Sequence, residues 1–273
     1  MTINCNGKLI DLNTPKVMGI LNVTPDSFYD GGKYHSDKAI LKQTEKMLLH
    51  GATFIDIGAY SSRPNAKHIS EEEELKRLLP VIDLLVKNFK NILISTDTFR
   101  ANVAKKSIDY GACMINDISG GELDKNMFKT IADLQVPYIL MHMKGTPQNM
   151  QKNPVYNNIV EEVFYYFSKK INTLRDLKVN DIILDVGFGF GKTLEHNYEI
   201  LKNLSFFNQL NLPLLIGTSR KSMLYKLLNG KPEDMLNATS VTNTIALLNG
   251  AKILRVHDVK EAMECITITN QIK

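Results

Sequence analysis

Short apolar runs recur along the chain every few dozen residues and alternate with stretches of helical period. The runs lie at 16–22, 53–58, 92–97, 112–117, 137–142, 181–186, 213–218 and 252–257. They are rich in Ile, Leu and Val and nearly continuous, the pattern of parallel strands buried on both faces. Between them, 36–50, 70–87, 156–177, 222–228, 235–248 and 259–268 carry amphipathic helical periodicity. The stripe of Ile159, Val160, Val163, Phe164, Phe167, Ile171 and Leu174 reads as a face turned to the core. Ser70 followed by Glu73 predicts a capping box at the start of one helix. Eight strands alternating with helices predict an α/β fold, a TIM (β/α)8 barrel, with an open doubly wound sheet as the other possibility. Asn22-Val23-Thr24-Pro25 follows the first of these strands, where a dinucleotide fold would have a Gly-rich turn. Residues 1–15 stand apart: Asn6-Gly7 is a strong hairpin turn signal. The expected organisation is one domain over 1–273, with an N-terminal β-hairpin (1–15) capping the bottom of a barrel (16–273).

The last residues of the predicted strands are consistently polar: Asn22, Asp56, Asp97, Asn116 with Asp117, His142, Asp185, Thr218, and Arg255 with His257. Any one of these could simply cap the next helix. In a barrel, however, all of them gather at one face, where active sites form. Composition narrows the chemistry. With 273 residues, 44% hydrophobic and 23% charged, the chain is ordinary globular protein. A net charge of +4 without a basic run gives no indication of nucleic acid. No apolar stretch approaches the ~18 residues of a membrane span, and no signal-peptide pattern opens the chain. Cys5, Cys113 and Cys265 are far apart, which disfavours a disulfide framework and points to a reducing, cytoplasmic setting.

Several barrel chemistries fit poorly. The six histidines are scattered, so a tight His-metal site is not expected. No predicted strand ends in Glu, which weakens a glycosidase reading. Lys221 stands at a helix start rather than within a strand, which suits a charged donor better than a Schiff base. No GxSxG elbow is present. Gly187-Phe188-Gly189-Phe190-Gly191-Lys192-Thr193 resembles a P-loop, but Val186 occupies the position of its first Gly. It reads instead as a mobile Gly loop entering a helix, with Phe190 above the site.

The positive signal is for an anion and a flat heterocycle. Arg63, Lys221, Arg255 and His257 supply cationic or donating groups, and strand alternation puts Arg255 and His257 on one face. Thr218-Ser219-Arg220-Lys221 is placed at a strand-to-helix turn, where N–H groups and hydroxyls receive phosphate-like groups. Asp97, Asn116 and Asp185 could read the donor edge of an aminopyrimidine, because an ionised carboxylate only accepts. Asn22 offers an oxygen suited to Mg²⁺, an ion that leans on substrate phosphates.

At these residues the chain resembles the dihydropteroate synthases, the folate-pathway enzymes that sulfonamides inhibit. The resemblance is carried by eight ordered blocks: Met18 to Phe28 with Asp30-Gly-Gly32, Asp56 to Pro64, Ile94 to Thr98, Ile115 to Gly121, Leu140 to Met143, Leu184 to Lys192, Gly217 to Ser222 and Arg255 to Asp258. It implies condensation of p-aminobenzoate with 6-hydroxymethyl-7,8-dihydropterin diphosphate to give 7,8-dihydropteroate and diphosphate. It further implies pterin held by Asp97, Asn116, Met141, Asp185, Phe188, Gly217 and Lys221. Diphosphate would be held by Asn22, Ser62, Arg63, Arg255 and His257, with Mg²⁺ at Asn22. Phe28, Ser62, Pro64, Phe190, Ser219 and Lys221 would frame the aminobenzoate. Asp97, Lys221, Arg63 and Asn22 would carry the chemistry, the loops over 22–28 and 62–65 would close over the site, and the protein would be a homodimer. The family's second loop usually reads Gly-Gly-Glu-Ser-Thr-Arg-Pro-Gly. Here Ala59, Tyr60, Ser62 and Asn65 depart from it, and Val186 replaces a usual Pro in the sixth block. A corrinoid-type pterin methyltransferase barrel would not need Arg63-Pro64, Lys221 or Arg255-x-His257. A non-catalytic pterin-binding protein would be expected to have eroded them.

Overall fold

The computed structural model describes residues 1–23, 37–61, 68–152 and 154–272. Two antiparallel strands, β1 (Thr2–Cys5) and β2 (Lys8–Asp11), open the chain. They turn through Asn6 and Gly7, whose φ values of 51° and 80° are those of the tight hairpin turn that Asn-Gly favours. Eight parallel strands then close into a barrel: β3 (Lys16–Asn22), β4 (Phe54–Gly58), β5 (Ile94–Asp97), β6 (Met114–Asp117), β7 (Tyr138–Met141), β8 (Ile182–Asp185), β9 (Leu214–Ile216) and β10 (Ile253–Val256), with β10 pairing back onto β3. The closed order and the parallel register rule out the open sheet.

Around the barrel run α1 (Asp37–Leu49), α2 (Glu71–Asn88), α3 (Ala101–Asp109), α4 (Met127–Leu134), α5 (Ile159–Asp176), α6 (Leu194–Lys202), α7 (Ser222–Leu227), α8 (Leu236–Leu248) and α9 (Val259–Thr269). Helices α3, α4 and α6 were not legible in the hydrophobic period. Helix α3 buries Ala101, Val103, Ala104 and Ser107, small side chains that leave little signal. The expected capping box is half formed. Ser70 Oγ accepts the Glu73 N–H at 3.1 Å, but the Glu73 carboxylate takes Arg77 Nε at 2.7 Å instead. A complete box opens α6, where Thr193 and His196 exchange both bonds.

Strand alternation divides the barrel into layers. Side chains such as Val17, Ile55, Ile115, Leu140, Leu184 and Leu254 face outward into the core shared with the helices. Their neighbours face inward. Met18, Phe54, Met114, Ile139, Ile183, Leu215 and Ile253 form an apolar floor, and Ile3, Cys5, Ile10 and Leu12 of the hairpin join it from below. The hairpin is therefore a plug that completes the floor. One step further along five of the strands the interior turns polar, with Asp56, Ser95, Asn116, Asp185 and Arg255. The floor gives the barrel its stability and leaves the mouth free to be polar.

Candidate active site

At the mouth, the inward ends of β4, β5, β6 and β10 converge on one guanidinium. Arg255 Nε donates to Asp56 Oδ2 at 2.6 Å, and its Nη2 donates to Asp97 Oδ2 at 2.9 Å. Asn116 Nδ2 donates to the same Asp56 oxygen at 3.0 Å. The register explains the meeting: Asp56 lies beside Ser95 and Asp97 beside Asn116 in adjacent strands, with side chains on the inner face. Burial opposes the charge on Arg255, yet Asp56 and Asp97 hold its pKa above the ordinary value. Burial pushes the Asp97 carboxyl up to about 7, with Arg255 pulling the other way.

Asp185, at the end of β8, accepts the Gly187 N–H at 2.8 Å. Burial raises its pKa against that bond and the pull of Lys221. Lys221 Nζ donates to the Phe188 carbonyl at 2.9 Å and lies 4.1 Å from the centre of the Phe190 ring. Burial lowers Lys221 to about 8, with Asp185 raising it. On the next edge, Ser219 Oγ lies 3.0 Å from His257 Nδ1 and accepts the His257 backbone N–H. Arg220, left-handed at φ 56°, turns away to a two-pronged pair with Asp258. An apolar wall closes the opposite side: Phe99, Ile118, Met141, Met143, Met150 and Phe190, with Tyr60 against them.

Most of the predicted residues in the described part thus meet at this mouth. Asn22 stands at the end of β3, half-buried and paired in register with Gly58. A Cβ at Gly217 would touch Arg255 Cβ at 3.8 Å, so this position borders the foot of the Arg255 side chain. Phe28, Ser62, Arg63 and Pro64, with the loops over 22–28 and 62–65 beyond Val23 and Ser61, lie outside the described residues. Three expectations change. The Phe188 ring is buried in the core between barrel and helices, and it is the carbonyl that reaches Lys221. Arg255, expected to hold only diphosphate, is shared between the carboxylates of Asp56 and Asp97, the second of which belongs to the pterin-reading set. The 187–191 loop also differs from a mobile tether, because buried Lys192 donates into it at the Gly187 and Phe190 carbonyls. Asp56 was missed as a site residue, although strand alternation pointed it inward beside the others.

Two buried acceptors at the centre of this mouth, Asp56 Oδ1 and Asn116 Oδ1, have no hydrogen-bond partner, and neither has Ser95 Oγ beneath them. Unsatisfied buried acceptors are costly and rare, and each calls for a partner such as a water, an ion or a ligand's donor. A barrel whose mouth combines such acceptors with buried carboxylates and cations is built to bind a flat, donor-rich, anionic substrate. Residues 18–257 match the family of pterin binding enzymes. Over 98% of its length the chain is 42% identical to the dihydropteroate synthase of Haemophilus influenzae, covering 98% of that protein. It is 43% identical to the Escherichia coli dihydropteroate synthase, covering 95% of it. Among solved structures, a Yersinia pestis dihydropteroate synthase complexed with a sulfonamide drug superposes with a TM-score of 0.94 at 42% identity, covering 100% of this chain and 99% of that one. A Xanthomonas albilineans dihydropteroate synthase in complex with 7,8-dihydropteroate gives 0.89 at 33% identity, covering 100% and 98%. The chain belongs to the dihydropteroate synthase family.

Proposed function

We propose that this mouth condenses p-aminobenzoate with 6-hydroxymethyl-7,8-dihydropterin diphosphate, and that its residues divide the work as follows. Asp97, Asn116 and Asp185 take the donors of the pterin ring, Lys221 donates to it, and Met141 lines it. Asn22, Arg63 and His257 face the diphosphate, with Arg255 between the two ligands. Phe190, Ser219 and Lys221, together with Phe28, Ser62 and Pro64, frame the aminobenzoate. The observation that carries this reading is the pair of unpartnered acceptors at Asp56 and Asn116, beside carboxylates held in a buried setting.

Displacement needs little acid–base help. Diphosphate departs once its charge is spread over cations. The electron-rich dihydropterin stabilises the methylene cation left behind, and ionised Asp97 adds negative charge beside it. The aniline nitrogen then attacks as a neutral nucleophile, and the acidic anilinium it forms gives its extra proton to the departed diphosphate or to water. No cluster of three or more His, Cys, Asp or Glu suited to a metal exists among the described residues. Among the described residues we assign Mg²⁺ to the Asn22 side-chain oxygen, since the ion takes few protein ligands and leans on phosphate oxygens. Bound there, the ion would supply charge neutralisation on the diphosphate.

A homodimer is the proposed assembly. Leu236, Val241, Ile245 and Leu248 of α8 and Ile268 of α9 are exposed, and a second copy could cover them. No helix among the described residues is long and apolar enough to cross a membrane. The three cysteines are buried free thiols, in keeping with a cytoplasmic protein. The deciding assay is diphosphate release with both substrates. Aminobenzoate-dependent release is expected, and its absence would overturn this function.

A further inference from the structure

The mechanism above gives no task to Lys192, although it is a lysine only 3% exposed. Its ammonium sits inside the loop that follows β8. It donates to the carbonyls of Gly187 (3.0 Å), Phe190 (3.0 Å) and His142 (3.3 Å) and lies 2.9 Å from His142 Nδ1. The carbonyls can only accept, so the amine donates to them, and His142 Nδ1 at most shares one of those donors. Burial lowers Lys192 to about 7, with Asp185 raising it. Burial and the Lys192 charge hold His142 well below its ordinary pKa, which agrees with a neutral ring. The loop is shaped around this amine. Gly187 has φ 69°, and a Cβ there would run into the His142 carbonyl.

What the loop presents to the site follows from the same residues. The Gly187 N–H is the donor on Asp185, while its carbonyl is held by Lys192. The Phe188 carbonyl seats the Lys221 ammonium. The Phe190 ring lies against that ammonium, while the Phe190 carbonyl is held by Lys192. One buried amine therefore fixes the peptide groups on both sides of the one that holds Lys221. We propose that Lys192 is a positioning residue of the synthase site, whose ammonium cross-links residues 187–190 and so sets the placement of Lys221, Asp185 and Phe190. The inference rests on the function proposed above.

The test compares wild type with Lys192→Met, which keeps length and loses every donor, and Lys192→Gln, which keeps two N–H donors. For the Met variant, the aminobenzoate KM and the Kd of a pterin lacking diphosphate are expected to rise at least about tenfold, since ångström-scale misplacement of a site costs up to roughly a hundredfold. Lys192→Gln should recover part of both losses. Unchanged KM and Kd, with only the melting temperature moved, would overturn the proposal. Wild type without aminobenzoate-dependent release would instead overturn the function, and the pterin Kd comparison would still read Lys192. Should neither variant fold, NMR of the Lys192 side chain in the wild-type enzyme decides. Slowly exchanging Nζ protons in the free enzyme support the cross-link, and exchange at the rate of a solvated lysine refutes it.

Discussion

Asp97 makes the most demanding prediction, because its carboxyl is raised to about 7 by burial while its proposed role needs it ionised. A pterin donor bonded to the carboxylate favours the charged form. Binding must then expel the proton that the empty site holds near neutrality. With a midpoint at about 7, the ionised fraction is about one half at pH 7, about one eleventh at pH 6 and about nine tenths at pH 8. Affinity for a neutral pterin should therefore fall about tenfold from pH 8 to pH 6, or about 1.4 kcal/mol. Asp185, also raised by burial, acts with the same sign. Lys221, lowered to about 8, loses its charge above that pH and sets the upper end of the window. Calorimetry in two buffers of different ionisation enthalpy measures both the affinity and the proton released. Asp97→Asn should bind more weakly and lose most of the slope, which separates the protein's titration from the ligand's. Affinity that is flat or falling between pH 6 and 7.5, or proton uptake on binding, would refute the reasoning. Stability carries the opposite sign. A carboxyl raised in the folded state contributes most below the unfolded value near 4, and that contribution is lost as pH rises through about 7.

Three further outcomes are expected. Arg255→Ala leaves buried Asp56 without its ion pair and should cost about 3–5 kcal/mol in denaturant unfolding, with weaker binding even of a pterin lacking diphosphate; a stability and pterin Kd equal to wild type would return Arg255 to a purely diphosphate role. Ile139→Ala empties part of the barrel floor and should cost about 2–5 kcal/mol while sparing KM at 25 °C, so a raised KM without lost stability would contradict the division between floor and mouth. Chelation with EDTA should suppress diphosphate release, and added Mg²⁺ should restore it; release indifferent to both would remove the ion from Asn22.

Much of this architecture was legible because it is written in local pattern. Strand β3 matches its expected bounds, and the Asn6-Gly7 turn forms the hairpin its residues favour. Polar residues at strand ends were visible one by one, and Asp56 was among them, yet it was given no binding role although it shares the inner face with Phe54 and Gly58. Lys192 could not. In sequence it follows a run of glycines and looks like a solvated helix start, and only the fold closes His142 and the 187–190 carbonyls around it. The same limit applies to Glu73, whose carboxylate had two local partners within reach and took Arg77 rather than the helix start.

By itself, then, the order of apolar and polar positions determined that eight parallel strands alternate with helices, that a hairpin precedes them, and which side chains end on the inner face. Those are consequences of period and turn chemistry, and both act over a few residues. Tertiary structure alone decided the pairings: that Arg255 bridges Asp56 and Asp97 across 199 and 158 residues of chain, that Lys221 rests on the Phe188 carbonyl, and that a lysine at the foot of a glycine loop is buried. Barrel closure removes these groups from water, and in that setting their charges set one another's pKa values. Side-chain identity specifies what each group can do, but its distance from the others exists only once the barrel is closed.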